Sequence, residues 1–302
     1  MKILLTGAHG QLGRALTQPL KQMGELTAPN RKLLDLSDSQ ALKDALDAIQ
    51  PALIVNAAAY TDVDRAETDT RQAYLVNAAA PEIMARWAAT RDVPLLHVST
   101  DYVYSGAGDA PHDEGEAPAP LNAYGASKLA GDEAVIQSGT PHLILRTSWL
   151  YDAVGRNFLT AILNAARTRE ELRVVDDQIG APTPAALVAA IAMEILQAGD
   201  PREIFATSGG IVHAAATGAA SRHEFARTIV DGLRKHGCAL TAKRVVPVPS
   251  AEMPTPAKRP LNSRLSLARL SERFGIEPPD WRTALRPVLD TVARAETKKP
   301  AP

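Results

Sequence analysis

The chain has 302 residues, 45% hydrophobic and 22% charged, with a formal net charge of -1. That balance gives no reason to expect nucleic acid or an anionic membrane as partner, and no apolar run nears the ~20 residues a bilayer span needs. The single cysteine, Cys238, excludes an intrachain disulfide and fits a reducing compartment, so a soluble cytoplasmic protein is expected.

The N-terminal MKILLTG carries one charge and a short apolar run, which reads as a first strand and not as a signal peptide. A glycine-rich turn follows, and then Leu12, Leu16 and Leu20 at helical spacing. ELTAPN is a short second strand, and SDSQALKDALDAIQ a helix capped by Ser37 or Asp38. PALIVNAAA is a buried strand, TRQAYLVNAAAPEIMARWAATRD a long helical stretch, and VPLLHVST another strand. A Gly/Pro/Asp-rich loop runs from Ser105 to Pro120, ahead of a helix carrying Lys128 and the strand HLILRTSWLY. Strands alternating with helices predict an α/β fold: a Rossmann-like, doubly wound parallel sheet covered on both faces. The apolar strands LLHV and LILR, without polar alternation, agree.

After Tyr151 the pattern loosens. RNFLTAILNAARTR is helical, and LRVVDDQIGAPTPAALVAAIAMEILQAG is strand, proline loop and helix. SGGIVHAAATGAAS reads as a loop or flexible insertion, and the proline-rich VVPVPSAEMPTPAKRPLNSRL as an edge or extended loop. The expected division is a dinucleotide-binding domain over 1–148 and a smaller, irregular, mainly substrate-binding lobe over 149–302. Segments around 173–199 are expected to return to the first domain.

TGAHGQLG sets Gly7, Gly10 and Gly13 on the first strand-to-helix turn. There a tight turn lets backbone N–H groups approach a pyrophosphate at a helix N-terminus. At the end of the second strand, where an acid would hold a ribose 2'-hydroxyl, stand Asn30, Arg31 and Lys32. A cationic pair suits a 2'-phosphate, which favours NADPH and leaves NADH open. Asp35 is a candidate for the adenine edge.

Ser99, Thr100 and Asp101 end a parallel strand on the side where ligands bind in such sheets, and one connection later come Tyr124 and Lys128. Four residues is about one helical turn, so tyrosine and lysine share a face. A free tyrosine titrates near 10, and a nearby ammonium favours its phenolate. With the glycine turn, this constellation resembles the extended short-chain dehydrogenase/reductase family. That resemblance implies hydride transfer from a nicotinamide to a carbonyl carbon. It gives Tyr124 the role of proton donor, Thr100 a hydrogen bond to the carbonyl oxygen, and Lys128 a hold on the ribose.

Further segments narrow the resemblance. VNAAAYTDVDRAE, STDYVYSG, PLNAYGASKLAGDEAV, LILRTSWLY, VVDDQIGAPT and MPTPAKRPLNSRL together look like the dTDP-4-dehydrorhamnose reductase family, from residue 1 to about 290. The family reduces the C4 ketone of dTDP-4-dehydro-L-rhamnose with NAD(P)H to dTDP-L-rhamnose. By this resemblance Gly7, Gly10, Gln11 and Leu12 match the pyrophosphate loop, Asp35 and Leu36 the adenine side, and Ala57, Ala58 and Tyr60 the cofactor-lining end of the third strand. Asp101 and Trp149 fall where the family meets the sugar, and Arg259 and Asn262 where a diphosphate could be held. Three of these residues keep a plainer alternative: Trp149 as packing, Asp101 as a cap of the loop after it, and Arg259 as a solvated loop charge. His97 reads as a core histidine.

Two departures stand out. Some family members carry a carboxylate after G-A-P-T in a metal-linked dimer, whereas Ala185, Ala186 and Ala189 stand here. No metal is therefore expected, and a monomer or weak homodimer is. Also, Arg222 or His223 stands where an aromatic is common. Alternative readings are a reductase or epimerase of a related nucleotide deoxysugar, and a non-catalytic regulatory subunit of the same fold.

Overall fold

The computed structural model describes residues 1–297; residues 298–302, part of the lobe expected over 149–302, lie outside the described residues. The first half alternates strand and helix: β1 (Lys2–Thr6), α1 (Gln11–Met23), β2 (Glu25–Thr27), α2 (Ser39–Ile49) and β3 (Leu53–Asn56). Of the two caps that the sequence allowed for α2, Asp38 is used, accepting from the backbone N–H groups of Gln40 and Ala41. Next come two short helices, α3 (Val63–Ala66) and α4 (Thr70–Tyr74). A π-helical turn over Leu75–Ala79 joins α4 to α5 (Ala80–Ala89). The order continues with β4 (Leu95–Thr100), α6 (Ala123–Ser138) and β5 (His142–Thr147).

The strand expected from HLILRTSWLY is interrupted. After β5 the chain leaves the sheet at Ser148 and Trp149, and resumes as the short β6 (Leu150–Tyr151). Trp149 has φ +48°, a left-handed conformation that breaks the extended run of the strand. Then follow α7 (Phe158–Thr168), β7 (Glu171–Val175), β8 (Ile179–Gly180), β9 (Thr183–Pro184), α8 (Ala185–Gln197) and α9 (Pro201–Ser208). The remaining elements are β10 (Gly210–His213), β11 (Ala220–Ser221), α10 (Arg222–Lys235) and β12 (Arg244–Val248). Last come β13 (Asn262–Ser263), α11 (Ala268–Phe274) and α12 (Trp281–Thr297).

The central sheet has six parallel strands in the order β10-β5-β4-β3-β1-β2. Its sixth strand corrects a reading made from composition. Gly210–His213, inside the segment taken for a loop, pairs in register with Leu143–Arg146 of β5. The small residues after it, Ala214, Ala215 and Ala216, are buried. Short side chains there let the backbone pack closely, so a composition that resembles a linker belongs to a packed strand end.

One sheet face packs against α1 and α8, through residues such as Leu12, Leu16, Val188 and Ile195. The other packs against α2, α5 and α6, through Leu42, Leu46, Met84 and Val135. A separate core joins α7, α10 and α12 around Phe225 and Trp281. Strand order reverses between β1 and β3, on either side of which the chain runs in opposite directions across the sheet. A crevice opens at such a switch point, at the carboxyl ends of the strands.

Candidate active site

The glycine turn is built for close approach. Gly7 has φ +75°, and a Cβ there would lie 2.6 Å from the Ala57 backbone. A Cβ on Gly13 would lie 2.0 Å from the Gly7 carbonyl oxygen. Gly10 caps α1 without a side-chain hydrogen bond, so the first N–H groups of α1 stay available to a ligand. Gln11 Oε1 is buried there without a hydrogen-bond partner. Free backbone donors and a turn with no room for side chains fit a dinucleotide pyrophosphate.

From this turn a pocket extends over the end of β2, lined by Gly7, Gly10, Asn30, Arg31, Asp35, Leu36, Ala58 and Tyr60. Asn30 Oδ1 accepts from the N–H groups of Lys32 and Leu33, which fixes its own turn. Asp35 accepts from the backbone and hydroxyl of Ser37, and these bonds, more than Arg31, hold its carboxyl below the ordinary carboxylate range. Arg31 lies 3.5 Å from Asp35 with its side chain exposed. Tyr60 is anchored through its backbone to Asn77, which sits fully buried in the π-helical turn. That turn was invisible in the helical periodicity of the sequence.

A second, larger cleft shares Gly7, His9, Gly10 and Ala58 with the first and adds about 1860 Å³ of open space, part of it continuous with solvent. Gln11, Leu12, Ala57, Thr100, Asp101, Tyr124, Lys128 and Trp149 all line it. So do residues that the sequence reading did not single out: His9, Arg14, Tyr102 and Phe158. Arg222, noted there only as an oddity of its helix start, also faces the cleft.

Thr100 ends β4 and caps the 3-10 turn that follows, accepting from the Tyr102 N–H. Its hydroxyl donates to Asp101 Oδ1 at 3.0 Å. Asn122 caps α6 by accepting from the Gly125 N–H, and this places Tyr124 and Lys128 in the first turns of α6. Burial raises the Tyr124 phenol above its ordinary value, and the Thr100 hydroxyl partly offsets that effect. At neutral pH the phenol is therefore protonated. Lys128 Nζ is turned into the sheet, where it donates to the Val98 carbonyl at 2.7 Å and lies 3.1 Å from His97 Nε2. Burial pulls its ammonium down to about 8. The ammonium expected to favour the phenolate is thus engaged with β4 instead. His97 is fully buried, as a core residue would be, but it also touches Lys128 and, through Nδ1, Asn56.

Two expected residues stand apart from the cleft lining. Asn262 is buried and donates to the Gly108 and Ala110 carbonyls, while its oxygen accepts from Arg264. Its amide clamps the loop before α6 and has little left for a ligand. Arg259 pairs with Asp64 at 2.8 Å, and its Nη1 is buried without a partner. Trp149, for which packing and ligand contact were both open, is buried to 8% exposure yet faces the cleft. Among the described residues no group of three or more His, Cys, Asp or Glu is arranged to hold a metal. No helix among them is long and apolar enough to cross a membrane.

Residues 1–294 match the family described as RmlD substrate binding domain. The chain belongs to this family. An RmlD-family relative from Burkholderia thailandensis, a dTDP-4-dehydrorhamnose reductase, is 43% identical over 290 residues, covering 94% of this chain and 97% of that one. The crystal structure of a dTDP-4-dehydrorhamnose reductase from Clostridium acetobutylicum superposes with TM-score 0.88 at 33% identity, covering 97% of this chain and 99% of that one. That from Bacillus anthracis, solved in complex with NADP, superposes with TM-score 0.86 at 32% identity, covering 96% and 99%. The Rossmann-like parallel sheet expected from the alternating pattern is thus the architecture of the RmlD family.

Proposed function

We propose that this protein is an NADPH-dependent oxidoreductase that reduces the C4 ketone of dTDP-4-dehydro-L-rhamnose to the alcohol of dTDP-L-rhamnose. The observation that carries the reading is the convergence of Thr100, Tyr124 and Lys128 in one cleft with the glycine turn. The names of the RmlD-family relatives support the substrate, and the NADP complex of one of them supports the cofactor.

When bound, NADPH supplies the hydride that the C4 carbon receives. Gly7, Gly10, Gln11 and Leu12 hold its pyrophosphate, and Ala57, Ala58 and Tyr60 line its path. Asn30, Arg31, Asp35 and Leu36 receive the adenosine end. Because Arg31 offsets the charge of Asp35, the pocket tolerates a 2'-phosphate that an unpaired acid would repel. NADH is then the weaker donor.

Thr100 donates a hydrogen bond to the ketone oxygen, exchanging its present bond to Asp101. Tyr124 gives its phenolic proton to the same oxygen as charge develops there, so hydride plus proton convert the carbonyl to a hydroxyl. A phenol raised by burial is the right starting state, since a general acid must hold its proton until the step occurs. Lys128, fixed by the Val98 carbonyl, would hold the cofactor ribose with an N–H group that remains. Asp101 and Trp149 position the sugar. The protein works in the cytoplasm as a monomer or weak homodimer without metal, and gel filtration with and without EDTA checks the last point.

The test follows reduced-nicotinamide absorbance with dTDP-4-dehydro-L-rhamnose, comparing wild type with Tyr124→Phe. Wild type oxidises NADPH, while the variant loses about a hundredfold or more in turnover and still binds cofactor. A variant with near wild-type rate sinks the acid assignment, and a silent wild type sinks the substrate.

A further inference from the structure

Arg222 begins α10, in the second lobe, yet its guanidinium reaches across to the cleft of the first. It lies 3.6 Å from the centre of the Trp149 ring and 5.2 Å from that of Phe158. Trp149 is itself pinned: its backbone is left-handed, and a Cβ on Gly180 would come within 2.5 Å of its indole. The guanidinium therefore rests on a tightly packed aromatic floor.

Its charge is poorly met. Among the described residues no carboxylate lies within ion-pair distance of Arg222, and Asp101 acts on it only from farther away. The Tyr102 hydroxyl and Asp101 favour its charged form, but less than burial opposes it. Arg259 is close enough to repel it, and one Arg259 nitrogen is buried without a partner. Burial weakens the guanidinium's hold on its proton. An anion in the cleft beside Arg222 would meet its charge.

We infer that Arg222, on the wall of the cleft, holds the diphosphate of the sugar-nucleotide substrate. A rigid planar fork suits two phosphate oxygens at once. On a dTDP-sugar the diphosphate is the sole anionic part, and the cofactor's own pyrophosphate would be held at the glycine turn. Stacking on Trp149 joins the two lobes across the cleft, so the same contact sets how far the sugar reaches towards Thr100 and Tyr124. This assignment rests on the function proposed above and names what selects its substrate.

The test is equilibrium binding of dTDP, and of thymidine as the phosphate-free control, to the NADPH-loaded enzyme. Arg222→Gln should weaken dTDP by about tenfold or more, leaving thymidine and NADPH unchanged, with Arg222→Lys in between. For wild type, dTDP affinity should fall with added salt while thymidine affinity stays flat, a reading independent of whether any variant folds. Unchanged dTDP affinity in R222Q, equal losses for dTDP and thymidine, or loss of NADPH instead would each overturn the assignment. Turnover of the ketosugar reports separately: dTDP held through Arg222 by an enzyme that leaves the ketosugar untouched would support this inference and refute that function.

Discussion

Lys128→Met offers a quantitative test of how the site is held. Lys128 is 1% exposed, and burial lowers its ammonium from 10.5 to about 8. Because the folded value lies below the unfolded one, the unfolded chain binds the proton more tightly. The wild type carries the full penalty for its buried charge below about pH 8 and sheds it as pH rises towards 10.5. At 1.36 kcal/mol per pH unit the gap from about 8 to 10.5 corresponds to about 3 kcal/mol. Methionine has similar length and no charge, so the variant lacks this pH dependence. It also leaves the Val98 carbonyl without its 2.7 Å donor, a loss on the order of 1–3 kcal/mol that does not change with pH. Urea unfolding of both proteins, from about pH 7 to about pH 10.5, should show wild type gaining about 3 kcal/mol on the variant. Other titrating groups, the buried tyrosines included, cancel in the difference. A difference that stays flat across the window would mean that Lys128 does not carry a buried charge, and the reasoning would fail.

Gly13→Ala should lower both the melting temperature and NADPH affinity, although alanine is the better helix former by about 1 kcal/mol. Its Cβ would meet the Gly7 carbonyl oxygen at 2.0 Å, an overlap that outweighs the helical gain; a more stable variant with normal NADPH binding contradicts this. Gly180→Ala should raise KM for the sugar nucleotide roughly tenfold without touching NADPH binding, because its Cβ would displace the Trp149 ring. Steady-state kinetics with each substrate varied in turn would expose the opposite pattern. Arg31→Ala should cut the preference for NADPH over NADH by about tenfold, as one charge-assisted contact to the 2'-phosphate is lost. An unchanged ratio of the two kcat/KM values would assign that phosphate elsewhere.

The parts of this protein legible in its sequence are those whose cause is local. Glycines at 7, 10 and 13 with leucines at helical spacing read as a tight turn entering a helix, because each step is decided by neighbouring residues. The alternation of apolar runs with helical ones implied a parallel sheet for the same reason, and the four-residue step from Tyr124 to Lys128 put both on one face of α6. Contacts between distant segments were not legible. Gly210–His213 becomes a sheet strand only because the open edge of β5 waits for it, a pairing that its Gly- and Ala-rich surroundings conceal. Lys128 could have faced Tyr124 or the sheet, and the Val98 carbonyl and His97 decided. Asn262, similar in sequence to a ligand-binding position, is spent on a loop that starts more than a hundred residues earlier. Arg222 starts a helix of the separate core around Phe225 and Trp281, and no spacing rule could have seated it on the indole of Trp149. Local sequence determines backbone shape because its energies come from adjacent residues. Which polar atoms remain free for chemistry depends on what the whole fold brings within hydrogen-bond reach, and only the tertiary structure decides that.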